Sequence, residues 1–322
     1  MGNRKALLII NPISGTGNKA GLDIRVKERL ADCGVDVDTV WTRASGDATE
    51  LAREAIATGY DIVMAAGGDG TINETAKALC GSNVTMGIIP CGSGNGLARH
   101  LNIPVDIRGA LEVIAAGREE VCDHGTANGK PFFCTFGAGF DAAVSHKFAR
   151  SKHRGKMTYI KNTLREFVSY RPEEYVISAN GQVLTEKAFV VAVCNASQYG
   201  NNAYIAPHAS MNDGLLDVTI IHSGNMLTRA MVGIDLMAGS IDKNMLINTF
   251  RASSLTIKRK NPGPVHIDGE PEIYGSDIEI ECCPHRLKIF TPGSDTPVRP
   301  LLTPIMSMFN DIGYTLRRFF DR

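Results

Sequence analysis

The chain has 322 residues, of which 43% are hydrophobic, 21% are charged and 33 are glycine, a balance that excludes a disordered or fibrous protein and fits a globular, loop-rich one. That length exceeds the needs of one compact core and falls short of three ordinary domains, so two domains with a cleft between them are expected. Lys plus Arg and Asp plus Glu each number 34, so no net field or basic tail draws the chain onto nucleic acid, which is not expected as a partner.

The first apolar run, residues 6–10, stops at Asn11-Pro12 and is too short for a signal-peptide core or a spanning helix, and no later stretch is long enough. It reads instead as the first strand of a series. Apolar runs at 6–10, 35–40, 61–65 and 86–89 alternate with helical patterns at 21–33, 47–57, 71–79 and 96–102. Such alternation predicts an α/β unit, a parallel sheet covered by helices. Three glycine clusters, Ser14-Gly15-Thr16-Gly17, Gly67–Gly70 and Gly92-Ser93-Gly94-Asn95-Gly96, fall where strands end and helices begin, so they share one rim, the place where such sheets bind ligands.

From about Asp123 the rhythm changes. Runs at 131–136, 174–179, 188–195, 216–222, 254–258 and 278–282 follow one another with turns, and helical patterns interrupt only at 141–170 and 226–237, which predicts an antiparallel β domain. Residues 302–320 place Leu302, Ile305, Phe309, Ile312, Leu316 and Phe319 at three-and-four spacing, an amphipathic helix expected to pack on the first domain. The eight cysteines, Cys33, Cys80, Cys91, Cys122, Cys134, Cys194, Cys282 and Cys283, show no metal-ligand spacing and read as reduced, buried thiols of a cytoplasmic protein.

The run Gly67-Gly68-Asp69-Gly70-Thr71 ends a strand and opens a helix. Glycines there let backbone N–H groups close on an anion, and the helix N-terminus adds its positive dipole end, so phosphate is the expected ligand. An aspartate inside a phosphate loop is repulsive unless it orients a metal or accepts a proton, both of which phosphoryl transfer from ATP requires. Thr71-x-x-Glu74 is also a capping box, which explains those two residues by helix-start chemistry alone. Gly15-Thr16-Gly17-Asn18-Lys19-Ala20 nearly matches a dinucleotide fingerprint, but Asp36 and Asp38 alternate with valines inside the second strand rather than closing it, which weakens that rival.

Asn11-Pro12-x-Ser14-Gly15, Gly67-Gly68-Asp69-Gly70-Thr71-x-Asn73-Glu74, Pro90-x-Gly92-Ser93-Gly94-Asn95-x-Leu97-Ala98 and Asp268-Gly269-Glu270 together resemble the diacylglycerol kinase and sphingosine kinase superfamily. The resemblance implies an N-terminal nucleotide-binding domain like those of NAD kinases and phosphofructokinases, at 1–122 and completed by 293–322, and a C-terminal antiparallel β-sandwich at 123–292 that holds a lipid. It implies that ATP lies among Asn11, Ser14, Gly15, Thr16, Thr42, Gly67, Gly68, Asp69, Gly70, Thr71, Asn73, Glu74, Gly92, Ser93 and Asn95, with Mg²⁺ as cofactor. Asp69, Asp268 and Glu270 form the implied catalytic set, and either Asp69 or Glu270 takes the proton from the lipid hydroxyl while the other orients Mg²⁺. Ser210, Asp213 and the backbone of Leu215 resemble a structural Mg²⁺ loop, with an ordinary Asp-Gly turn as the alternative. Asp141 matches a headgroup-reading position, the alternative being a helix N-cap, and Asp123 is placed with it on the substrate side.

Gly96 stands where bacterial diacylglycerol kinases of this type usually carry aspartate, which resembles sphingosine kinases and leaves diacylglycerol and a sphingoid base as alternative substrates. Between Ala142 and Arg165 there is no acidic residue, whereas Lys147, Arg150, Lys152, Arg154, Lys156 and Lys161 are basic; the segment is a solvated helix face, an ATP contact or a dock for anionic headgroups. The expectation is an ATP-dependent lipid kinase, cytoplasmic and peripherally membrane-associated, with a homodimer as one assembly. A kinase of soluble substrates such as NAD, or a non-catalytic lipid-binding protein, is the alternative.

Overall fold

In the computed structural model of the chain, the described residues are 4–15, 19–149, 170–241 and 244–293. The first half alternates β1 (Arg4–Ile10), α1 (Leu22–Ala31), β2 (Val35–Trp41), α2 (Asp47–Ala57), β3 (Ile62–Gly67), α3 (Asp69–Leu79), β4 (Thr85–Pro90) and α4 (Gly96–His100). β3 and β4 are buried along their whole length, as continuous apolar runs in a parallel sheet covered on both faces must be. Leu22, Val26 and Leu30 of α1 recur every four residues and are buried, while α2 buries only Ala48, Ala52 and Ala55, small side chains that bring it close against α3.

The strands run parallel in the order β2-β1-β3-β4. Ile10 pairs with Trp41 and Ala66, and Gly67 pairs with Pro90. Level strand ends put the three glycine loops on one rim, as the sequence predicts.

α5 (Ile107–Ala116), which the sequence reading passed over, leads into β5 (Glu119–Ala127). Its capping signals are plain in retrospect: the Asp106 side chain accepts from Gly109 N, and Gly117 closes it at φ 70°. β5 runs through the boundary drawn at 122/123. The second half continues with β6 (Lys130–Phe132), β7 (Thr135–Gly139), α6 (Phe140–Ala149), β8 (Glu173–Ala179), β9 (Gln182–Cys194), β10 (Leu216–His222), α7 (Met226–Ala238), β11 (Ile247–Ala252), β12 (Ser254–Arg259), β13 (Gly263–Ile267), β14 (Glu270–Tyr274) and β15 (Asp277–Phe290). Their order, β14-β13-β7-β9-β8-β12-β15, is antiparallel throughout and wraps one core that includes Phe132, Phe136, Tyr175, Val193, Ile257 and Ile278.

The halves share strands rather than a linker. β15 pairs antiparallel with β12 and β5, and its Ile289 pairs parallel with Met86 of β4. The end of β15 thus completes the first sheet. The segment 293–322, expected to complete the first domain, lies outside the described residues beyond Gly293, as does the helix expected at 302–320. The basic segment likewise lies outside them from Arg150 onward. All eight cysteines are free; Cys33 is exposed, against the expectation of buried thiols, and burial pushes the Cys122 thiol up to about 12. No described helix is long and apolar enough to cross a membrane.

Candidate active site

The glycine loops meet because they lack side chains. A Cβ on Gly15, which sits at φ 66°, would overlap the Cys91 carbonyl, one on Gly92 would stand 2.8 Å from Gly68 Cα, and one on Gly94 would stand 2.7 Å from Asp69 Oδ2. Polar contacts tie the loops together. Asn11 Nδ2 donates to Thr71 Oγ1 at 2.9 Å, Cys91 N donates to Gly67 O at 2.7 Å, and Asn95 folds its own loop by donating to Gly92 O and accepting from Gly92 N. Ser14 is held by Lys19, which is buried and donates to both the Ser14 carbonyl and Oγ. Lys19 is a site residue that the sequence reading used only as a letter in a fingerprint. Thr42, buried, is pinned beside the first loop by its N–H on Ile10 O. Ser93 is exposed at the tip of the third loop, and Thr16 lies outside the described residues.

Asp69 opens α3 and accepts from Asn95 N at 2.9 Å and Gly96 N at 2.7 Å, so its carboxylate clamps the second glycine loop to the third. Gly68, the N-cap of α3, offers no side-chain cap, which leaves the first N–H groups of that helix to bind an anion. The capping box is not formed: Thr71 lies inside α3, and Glu74 accepts from Gly46 N, Ser45 Oγ and Ala48 N at the start of α2. Glu74 is therefore removed from the ATP contacts, because its carboxylate is occupied by another helix terminus.

Asp268 and Gly269, at φ 50° and 83°, make the two-residue hairpin that joins β13 to β14, the positive-φ turn that Asp-Gly favours. The Asp268 carboxylate accepts from Phe133 N, Cys134 N and Thr135 N. Burial raises its pKa, and the three backbone donors oppose that rise. Asp268 is a clamp that seats the turn, so its place in the catalytic set is corrected to a positioning one. Glu270, first in β14, is exposed, and its Oε1 lies 3.8 Å from where a Cβ of Gly70 would be. The fold therefore brings Glu270 from the second half against the Asp69 loop of the first.

A cavity of about 740 Å³ runs from Asp69, Asn73 and Asp268 into the second half between β9 and α7, lined there by Phe140, Phe189, Val232 and Leu236. Buried Asn73 Oδ1 has no hydrogen-bond partner among the described residues. In the cavity wall Asp141 accepts from Ala142 N at 2.8 Å, from Tyr199 OH at 2.8 Å and from His266 Nε2 at 3.0 Å. Asp141 is not the N-cap of α6, which already begins at Phe140; it lies in the first turn of that helix and in the lining of the cavity. Tyr199 and His266 were missed, since a single tyrosine in the loop after β9 and a single histidine in β13 carry no local signal. Gly96 has the Tyr199 carbonyl 3.4 Å and Gly200 N 3.6 Å from its virtual Cβ, ordinary packing distances, so the third loop lies directly against the 199–200 backbone.

Two further expectations are corrected. Asp123 is wholly buried outside the cavity, its oxygens taken by Gly214 N and His285 N, each at 2.7 Å. It anchors the 210–215 loop and reads no substrate. In that loop Ser210 Oγ donates to Asn212, Leu215 N donates to Asp213, and Asp213 is paired with Arg251, which also approaches Asp217 at 3.5 Å. The residues do not fit the implied structural Mg²⁺, because a guanidinium already supplies the positive charge; no cluster of three metal-ligating side chains occurs among the described residues.

Residues 5–127 match the diacylglycerol kinase catalytic domain and residues 134–291 match the YegS C-terminal NAD kinase beta sandwich-like domain. An uncharacterized protein of Synechocystis is 30% identical over 305 residues, covering 88% of this chain and 70% of that protein. The chain belongs to the diacylglycerol kinase family of lipid kinases. A diacylglycerol kinase of Bacillus subtilis is 28% identical across 86% of this chain and 92% of its own length. The crystal structure of a putative diacylglycerol kinase from Bacillus anthracis superposes with a TM-score of 0.75 at 26% identity, covering 89% of this lipid kinase and 97% of that chain. The three glycine loops all lie within the part of the chain that matches the catalytic domain, and the apolar cavity begins beside them at Asp69.

Proposed function

We propose that this lipid kinase transfers the γ-phosphoryl group of ATP to a hydroxyl of a neutral long-chain lipid, with diacylglycerol as the first candidate and Glu270 as proton acceptor. The observation that carries the reading is the cavity of about 740 Å³ that begins at Asp69 and Asn73 and continues between apolar walls, a volume suited to a sizeable apolar ligand. A dinucleotide, charged along its length, has no matching surface there.

The phosphates of ATP lie against the N–H groups of the glycine loops and the uncapped start of α3. Asp69 and Asn73, one helical turn apart on one face of α3, fit a phosphate-borne Mg²⁺, since Asn73 Oδ1 is a buried oxygen without a partner among the described residues; when bound, the ion would offset charge on the phosphoryl oxygens. The lipid hydroxyl proton passes to Glu270, its oxygen bonds to the γ-phosphorus, and the bond to the β,γ-bridging oxygen breaks to release ADP. Asp69, already gripped by two N–H groups, is the poorer base.

Asp141 favours a neutral headgroup. Its carboxylate receives three donors, so it is not an open counter-ion for the ammonium of a sphingoid base. Delivery of such a lipid requires the cavity mouth to meet a bilayer, so peripheral membrane contact is part of the proposal. Labelled ATP offered with diacylglycerol, monoacylglycerol, ceramide, a sphingoid base and NAD in parallel tests it by thin-layer separation. Label on an acylglycerol is expected; label on the sphingoid base overturns the headgroup assignment, and label on NAD overturns the lipid one.

A further inference from the structure

Asp141, Tyr199 and His266 form a polar cluster in the wall of an apolar cavity, and phosphate handling needs none of them. His266 is 2% exposed. Burying an imidazole and a carboxylate together carries a desolvation cost that persists only where each is well partnered. The backbone is cleared for the pair: a Cβ on Gly137 would overlap both His266 Nε2 and Asp141 Oδ2.

His266 faces two ways. Its Nδ1 lies 3.4 Å from Gly269 N, which donates to it, and Nε2 lies 3.0 Å from Asp141 Oδ2. An N–H pointing at Nδ1 makes that nitrogen the acceptor, so the proton sits on Nε2 and is donated to Asp141. Gly269 immediately precedes Glu270. One imidazole therefore joins the headgroup wall to the turn that aims Glu270 at the Asp69 loop. Asp268, gripping residues 133–135 from the other side of the same turn, holds the hairpin in place without His266, so the imidazole is not required for the turn to fold.

We propose that His266 is a positioning residue of the phosphoryl transfer: it transmits the orientation of the Asp141–Tyr199 wall to the Asp268–Gly269 turn and so sets Glu270 against the acceptor hydroxyl. The proposal rests on Glu270 being the proton acceptor. A misplacement of the base by a fraction of an ångström to an ångström costs turnover, up to about a hundredfold, without changing nucleotide binding.

Two substitutions separate the arms of the bridge. His266→Gln retains a donor near the Nε2 position and loses the acceptor for Gly269 N, and His266→Asn does the reverse. Both are expected to lower kcat for the lipid about tenfold to a hundredfold with KM for ATP unchanged, and thermal unfolding checks that each is folded. The decisive measurement repeats His266→Gln in a Glu270→Gln background. If His266 acts through Glu270, the second substitution adds little to the first. Equal factors in both backgrounds, or a rise in lipid KM with kcat intact, overturn the proposal. Wild-type turnover by Glu270→Gln alone removes the proton acceptor itself, and His266 loses its role with it, a failure recognisable because it needs no change at position 266.

Discussion

At the residue scale the site turns on two carboxylates with opposite surroundings. Asp69 is fixed by two backbone N–H groups, whereas Glu270 is exposed beside Gly70. Glu270→Gln removes a base and leaves the loops intact, so lipid phosphorylation should fall by roughly 10² to 10⁴ with ATP binding and thermal midpoint unchanged. Asp69→Asn turns an amide toward N–H groups that need an acceptor, and the loss of such charged hydrogen bonds costs about 1–3 kcal/mol; its thermal midpoint should drop along with turnover. Nucleotide titration and calorimetry on the two variants read both differences. A stable, inactive Asp69→Asn beside an active Glu270→Gln would reverse the assignment.

At the element scale, hairpins and loop anchors place the functional side chains. Asn128-Gly129, Asn180-Gly181 and Asp268-Gly269 all have positive φ at both positions and each joins a strand pair, β5 to β6, β8 to β9 and β13 to β14. Each dipeptide is a visible hairpin signal, yet only the last was singled out, and then for chemistry rather than for the turn. The 210–215 loop is anchored by Asp123 and by the Arg251 pair instead of a cation. A chelator should therefore leave the thermal midpoint of the protein where it was, while Arg251→Met should lower stability by up to about 1 kcal/mol, the modest value of a partly exposed pair. A chelator-induced drop restored by Mg²⁺ would contradict this.

At the scale of the whole molecule, the halves are coupled by β5 and β15 and by contacts beside the third glycine loop. Arg99 donates to Gly94 O and approaches Asn202, and His100 Nδ1 accepts from Ser197 N at 3.1 Å. Desolvation lowers the pKa of His100 from 6.5 to about 4. The unfolded chain then binds a proton more readily than the folded one between those values, so stability is fully present above pH 6.5 and is lost as pH falls toward 4. At about 1.4 kcal/mol per pH unit, a loss on the order of 2 kcal/mol is expected by pH 4.5. His100→Gln should flatten that slope in thermal unfolding measured from pH 7 to 4.5; an unchanged slope would place the proton uptake elsewhere.

Local chemistry made much of this protein legible in its sequence. Strand-and-helix alternation dictated the parallel sheet, and the placing of glycine loops at strand ends put all three on one rim, because both depend on periodicity and on backbone freedom encoded within a few residues. Longer-range matters were settled only by folding. Whether Asp69, Asp268, Asp123, Asp213 and Glu74 were free or occupied depended on backbone N–H groups and an arginine brought from remote segments, and a carboxylate reads the same in sequence whether or not its oxygens are taken. The meeting of Glu270 with Gly70, and of His266 with Asp141, joins residues 200 and 125 positions apart, and nothing local announces a contact whose partners are set by sheet order.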